Sequence, residues 1–446
     1  MTLETPRGAP STFIPNTEAD QESMLRAIGV ESFEELISDV PESHRYPTLN
    51  LLPAAAEMDL AREIAGMAGV NAVPGDYACF LGAGSYRHYI PAAAKKIASR
   101  GEFMTSYTPY QPEVAQGSLQ VAFEFQTMVS LLMGLEVANA GMYDGPTAFA
   151  EAALMAARLT RRQKIVVLDT VSERNVEVLR TYSRYQGIEI VTTSPAQLEV
   201  SREAACVMVQ SPNALGVIED LERVAAAARD VGALAVASVN PMALAMFKSP
   251  GECDVDIVTA EGQPLGVPLG FGGPYVGLFA CKDAHKRQMP GRIVGKTTDT
   301  NGKTGYVLTL QTREQHIRRE HATSNICTST QPIALMVAAY MGMMGRQGLR
   351  ETAELCYHKA HYAAAEIAKL PGYATPVHGT YFNEFVVTGP SPAPETLQAL
   401  LERKIIGGQD VSDRVAGGIL FCATEMNSRP EIDNLVAALA EIGASS

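Results

Sequence analysis

Between residues 145 and 280 the chain alternates helical and strand-like stretches, and no other feature limits the fold so strongly. Short apolar runs stand at Ile165–Leu168, Ile188–Thr192, Cys206–Val209, Ala233–Ala237 and Val255–Val258. Amphipathic segments at Glu173–Tyr185 and Glu219–Asp230 lie between them. A strand covered on both faces has no polar side, so it reads as an unbroken apolar run, and parallel strands need a long, usually helical crossover to connect them. The pattern predicts an α/β fold on a mostly parallel sheet. An Ala-rich helix from about Thr147 to Arg162 leads into it, and Tyr275–Ala280 reads as one more strand.

A chain of 446 residues is long enough for more than one unit. Residues 1–75 read as a helical extension: Ser32 is followed three residues later by Glu35, a helix-start signature, and apolar residues recur at helical spacing from Ala54 to Met67. Residues 76–330 form the large domain. Residues 331–446 read as a small α/β domain, with helices at 332–344 and 351–368, a strand at 382–388, a helix at 394–403, a strand at 418–423 and a closing helix at 430–442.

The net charge of −13, with no basic run, argues against a nucleic-acid or anionic-membrane partner. No window reaches the roughly 18 apolar residues that a membrane helix requires. The opening Met1–Gly8 lacks a basic head followed by an apolar core, so no signal peptide is expected. The seven cysteines are scattered without a Cys-x-x-Cys pair, which predicts buried free thiols and a reducing, cytoplasmic setting. His358 and His361 sit three apart beside Cys356, but no further carboxylate completes a ligand set, and no metal site is expected.

Five segments are candidates for chemistry. In Leu81–Pro91, Gly82 and Gly84 precede Tyr86 and His88, without the third glycine of a dinucleotide loop. In Thr105–Gly117, Tyr107, Thr108, Tyr110 and Gln111 crowd neutral hydrogen-bonding groups that suit a small polar ligand. Asp144-Gly-Pro-Thr opens the Ala-rich helix. Such a start can hold a phosphate, but an acidic residue there favours a simple cap. Glu261–Tyr275 follows a strand at the carboxyl end, where open α/β sheets place ligands. It holds five glycines and three prolines but no lysine and no histidine. Within Arg313–Thr328, Thr323, Ser324 and Asn325 form a polar cluster able to donate to a phosphate in a neighbouring subunit.

Taken together, Phe80–Tyr86, Tyr107–Gly117, Phe125–Met128, Val137–Ala140, Phe271–Tyr275 and Thr323–Thr328 resemble the glycine decarboxylase P-protein over nearly the whole chain. The likeness is to its amino-terminal half, which in many bacteria is a separate chain, subunit 1 or α. The resemblance implies the pyridoxal-phosphate-dependent transferase fold of the aspartate aminotransferase type, with a large, mostly parallel domain and a small carboxyl-terminal one. It implies decarboxylation of glycine and transfer of the aminomethyl group to lipoyl H-protein. In active members of the family a His-Lys pair precedes Gly-Gly-Pro. The matching positions here are Gln263 and Pro264, and proline cannot form a Schiff base. The carboxylate that pairs with the pyridine nitrogen should fall near Ala237, where only Ser238 is polar.

The resemblance therefore implies that a homologous β subunit holds pyridoxal phosphate, in an α2β2 assembly that this chain completes. It places Tyr107, Tyr110, Gln111 and Thr108 near bound glycine, with Tyr86 and His88 beside them, and gives Thr323 and Ser324 a contact to the partner's phosphate. Two alternatives stay open at this stage. One is a stand-alone enzyme of the same fold using Lys296 or Lys303, since Lys248 and Lys282 lie outside the required loop. The other is a purely structural subunit.

Overall fold

The computed structural model describes residues 15–48, 50–52, 54–104 and 108–445. The chain divides between Asn71 and Ala72 into two compact units. The first carries α1 (Glu18–Ile28), α2 (Phe33–Leu36) and α3 (Glu57–Ala68). Thr17 and Asp20 form a reciprocal capping box on α1, and Gly29 ends it in the left-handed conformation. Ser32 accepts the Glu35 N–H at 3.4 Å, as the sequence predicts, but the helix it opens is a single turn. None of the described residues of these helices is buried, and Ile28, Leu52 and Val70 stand exposed.

The second unit begins with β1 (Ala78–Cys79), α4 (Ala92–Ala98), α5 (Gly101–Met104) and α6 (Gln116–Met133). Then come β2 (Val137–Ala138), α7 (Gly145–Thr160), β3 (Lys164–Leu168), α8 (Glu173–Ser183), β4 (Glu189–Thr193), β5 (Ala204–Ser211), α9 (Leu221–Asp230), β6 (Leu234–Val239), β7 (Ile257–Glu261) and β8 (Gly277–Cys281). The strands form a seven-stranded sheet in the order β2-β8-β7-β6-β5-β3-β4. Only β8 runs against its neighbours. The predicted apolar runs are its centre: Ile165, Cys206, Val207, Val236 and Ile257 are fully buried. Each such aliphatic side chain contributes about 1.5–3 kcal/mol relative to exposure. α7 packs across β5 to β8 and α9 on β5 and β6, which covers the sheet. The long helix α6 was not legible in the sequence as a helix, because its apolar residues nearly encircle it.

A hairpin follows, β9 (Ile293–Thr298) with β10 (Thr304–Thr309), then α10 (Gln315–Arg318) and α11 (Gln331–Ile367). The two helices expected at 332–344 and 351–368 follow one another along α11, separated by a kink where Gly345 leaves the helical conformation with φ 58° and ψ −175°. The bend lets α11 serve two cores: Ala334, Val337 and Tyr340 pack in the large one, Ala360, Ala363 and Ile367 in the small one. The small core is completed by β11 (Glu384–Thr388), α12 (Ala393–Glu402), β12 (Ile405–Ile406), β13 (Gln409–Asp410), β14 (Gly418–Cys422) and α13 (Arg429–Ala444). Its antiparallel sheet runs β11-β14-β13, while β1 pairs with β12, so residues 78–79 join the carboxyl-terminal segment. Among the described residues no helix is long and apolar enough to cross a membrane.

Candidate functional site

A cavity of about 520 Å3 opens at the carboxyl ends of β5, β6 and β7. Its floor is the first turn of α7, the first turn of α8 and the loop 83–86, and residues of the small sheet close it. This is the crevice where open α/β sheets bind ligands. Asp144 caps α7, accepting the Thr147 N–H at 2.8 Å, and Thr147 answers to the Asp144 N–H. Glu261, the last residue of β7, reaches the same helix end: its Oε2 accepts the Gly145 N–H at 2.9 Å and its Oε1 the Gln263 N–H at 3.0 Å. Burial pushes the Glu261 carboxyl up to about 7 against the opposing pull of those N–H groups, and Asp144 adds to the rise.

The predicted Gln263 and Pro264 sit at this cavity but do different things. Gln263 is buried and fully engaged: it accepts the Tyr86 N–H at 2.7 Å and donates to the carbonyls of Tyr86 at 2.9 Å and Val267 at 2.8 Å. Pro264 lines the cavity, as does Ser238 on β6. Tyr86 also lines it, with its hydroxyl donating at 2.8 Å to the buried Glu384. Burial raises both that carboxyl and that phenol. The charged lining is acidic, with Asp144, Glu173, Glu261, Glu384 and Asp413 against Arg174 and Arg414. No lysine is among the described residues that line it. Lys282 instead pairs with Asp254 at 2.6 Å and Asp256 at 2.8 Å, and Lys248 pairs with Glu222. Lys296 and Lys303 are exposed on the hairpin.

The other predicted residues lie elsewhere. Tyr107 falls outside the described residues. Thr108, Tyr110 and Gln111 share a tight loop, with the Tyr110 N–H donating to the Thr108 carbonyl at 2.9 Å. The exposed Tyr110 ring lies 5.3 Å from the His316 ring and 5.3 Å from the Arg292 guanidinium. Arg292 is buried and faces Glu314 at 3.9 Å. The structure thus brings Tyr110 to Arg292 and His316, not to the cavity that Tyr86 lines. His88 is buried with its Nδ1 2.7 Å from Glu425, which also accepts the Tyr89 N–H at 2.6 Å and the Cys356 thiol at 3.4 Å. Ser324 donates to Glu151 and accepts the Ile326 N–H at 3.2 Å, while the Thr323 N–H bonds the Arg313 carbonyl at 3.0 Å. Sequence reasoning missed Glu261, Glu384 and Arg292. Only Glu261 left a signal, as the charged residue opening the glycine-rich loop.

The fold and the placement of the cavity define the class: a protein of the pyridoxal-phosphate-dependent transferase fold. Solved structures at low identity share that architecture, among them a sphingosine-1-phosphate lyase of Burkholderia pseudomallei (TM-score 0.65, 14% identity, covering 90% of this chain and 94% of that one). A family profile described as glycine cleavage system P-protein matches residues 11–439, and the chain belongs to that family. It is 49% identical over 446 residues to the probable glycine dehydrogenase (decarboxylating) subunit 1 of Thermomicrobium roseum, covering 97% of this chain and 100% of that one. It is 48% identical over 444 residues to the protein of the same name from Desulforamulus reducens, covering 96% and 99%. It superposes with TM-score 0.92 and 41% identity on a glycine decarboxylase P-protein in inhibitor-bound form, covering 97% and 100%.

The cofactor of this fold class does not fit the cavity. Pro264 offers no amine, Ser238 offers no charge for a pyridine nitrogen, and the acidic lining repels a phosphate.

Proposed function

We propose that this chain is subunit 1 of a two-subunit glycine dehydrogenase (decarboxylating), the member of the pair without a cofactor of its own. The observation that carries the reading is Pro264 in the cavity wall, where a Schiff-base lysine would have to stand. A homologous β subunit then holds pyridoxal phosphate, which supplies the electron sink for loss of carbon dioxide from glycine. The names of the relatives, which specify a subunit 1, support a partner of that kind.

In this reading the chain forms a wall of the partner's active site. The loop with Tyr107, Thr108, Tyr110 and Gln111 presents phenols and an amide to glycine, groups that orient a small zwitterion without adding a net charge. Arg292, lying over the Tyr110 ring, braces it. Tyr86 and His88 support the wall from inside, anchored on Glu384 and Glu425. Thr323 and Ser324 approach the partner's phosphate. The assembly is α2β2 about a pseudo-two-fold axis, it is cytoplasmic, and its aminomethyl product passes to lipoyl H-protein.

Expression of the full chain alone and together with the β subunit tests this. The chain alone should purify colourless and inactive. The pair should carry the yellow cofactor on β and exchange the carboxyl carbon of glycine with carbon dioxide. Cofactor covalently attached to this chain would overturn the proposal.

A further inference from the structure

His88, Cys356 and Glu425 meet in the folded chain although 337 residues separate His88 from Glu425 and 69 separate Cys356 from it. His88 sits on the loop before α4, Cys356 on the second segment of α11 and Glu425 just after β14. All three side chains are shut away from solvent: those of His88 and Glu425 are 2% and 10% exposed, and Cys356 is fully buried. One oxygen, Glu425 Oε2, collects both the His88 Nδ1 at 2.7 Å and the Cys356 thiol at 3.4 Å, and a ligand atom from each residue lies within 4.8 Å of the other two. The second Glu425 oxygen accepts the Tyr89 N–H at 2.6 Å and the Glu425 carbonyl accepts Lys359 Nζ at 2.5 Å, which fixes the carboxylate in place. Two polar atoms at this cluster are left over. Among the described residues neither His88 Nε2 nor the Tyr340 hydroxyl has a hydrogen-bond partner, though both are buried, and the charges of Glu425 and Cys356 both act on Tyr340. Buried polar groups are nearly always paired, so orphans gathered at one place point to a ligand.

We propose that His88, Cys356 and Glu425 bind a structural zinc ion. A thiolate, an imidazole and a carboxylate are the ligand types that zinc takes, whereas magnesium and calcium call for oxygen throughout. The thiol releases its proton to solvent as the zinc–sulfur bond forms, and the imidazole binds through the lone pair of Nδ1. Thiolate, carboxylate and Zn2+ then sum to zero charge, which suits a buried place. With metal–ligand bonds of about 2.0–2.3 Å, tetrahedral ligand atoms lie about 3.3–3.6 Å apart. The sulfur–oxygen pair already has that spacing at 3.4 Å, and the nitrogen–oxygen pair at 2.7 Å has to open by roughly half an ångström. The carboxylate absent from the sequence around Cys356 is thus supplied by the fold, and the histidine is His88, not His358 or His361, whose Nδ1 faces the Tyr357 carbonyl at 2.8 Å. The ion would tie the loop that carries Tyr86 to α11 and to the small sheet. None of this rests on the reading of the chain as subunit 1.

The test uses the full chain, stripped of metal with a chelator and titrated with Zn2+ or, for its spectrum, with Co2+. The folded wild type should take up one equivalent of Zn2+, and Co2+ should add a near-ultraviolet thiolate-to-metal band. Cys356→Ser and Glu425→Gln, checked for folding by circular dichroism, should each weaken zinc binding at least about tenfold, and Cys356→Ser should remove the band. Cys327, an exposed thiol, is the control, and Cys327→Ser should change neither uptake nor band. If the ligand variants do not fold, X-ray absorption of zinc bound to the Cys327→Ser chain decides, with a single sulfur among nitrogen and oxygen neighbours expected. No stoichiometric uptake by the wild type, a band that survives Cys356→Ser, or a zinc shell without sulfur overturns the proposal.

Discussion

Replacing Glu261 by Gln should change how the stability of the chain depends on pH. The carboxyl is buried, which lifts it from 4.5 to about 7 in the folded chain. The sign follows from proton binding. Between those two values the folded chain holds a proton that the unfolded chain has released, so stability falls as pH rises through the window. The penalty is absent below the lower value and fully present above the upper one. A rise of this size corresponds to about 3 kcal/mol, the free energy of keeping a buried carboxylate charged. Gln cannot ionise, so the variant loses this falling limb. It also turns an N–H2 toward either Gly145 or Gln263, and a donor facing a donor costs about 1–3 kcal/mol at every pH. The variant should therefore be less stable than wild type near pH 5 and should gain about 3 kcal/mol relative to it by pH 8. Urea unfolding of both chains at several pH values measures the difference, and groups that titrate alike in both cancel from it. Parallel curves for the two proteins would refute the placement of Glu261 as a buried, ionising group.

Three further outcomes follow from other contacts. Gly251→Ala should destabilise the fold by about 3 kcal/mol or more, since the new Cβ would overlap the Gly134 carbonyl, a backbone atom that cannot swing aside; an unchanged urea midpoint would contradict this close approach. Glu425→Gln should cost about 3 kcal/mol by leaving the buried His88 without its carboxylate, and an unchanged urea midpoint would contradict this. Tyr110→Phe keeps the ring over Arg292 but removes the hydroxyl; assembly with the β subunit should be retained while the turnover of glycine drops about tenfold, the loss of one oriented hydrogen bond, and full turnover would remove Tyr110 from the active-site wall.

The large sheet was legible because its strands carry the burial pattern in their own sequence. Val207 and its neighbours on β5 are apolar on both sides, as a doubly covered strand must be. α6 was not legible because Phe125, Val129 and Met133 share the helix with exposed apolar residues such as Leu131, which blurs the period. The kink in α11 was legible, since the gap left between two expected helices begins at Gly345; that the two segments serve different cores was not, because it depends on how each packs.

The candidate site divides along the same line. The missing lysine could be read directly, because an absence at a fixed position needs no partner to interpret. The role of Glu261 could not, because its hydrogen-bond donor, Gly145, lies 116 residues earlier and meets it only once β7 and α7 are packed side by side. Nor could the sequence separate Tyr86 from Tyr110. Both belong to polar, aromatic loops, yet one is anchored on a buried carboxylate inside the cavity and the other stands exposed over Arg292. This division has a functional consequence. In the function proposed above, a chain that keeps one tyrosine turned inward on a buried carboxylate and another turned outward on a braced loop separates the upkeep of its own fold from the surface proposed to face the second subunit. Substitutions inside the cavity should then act on stability, and substitutions on the Tyr110 loop on the activity of the pair.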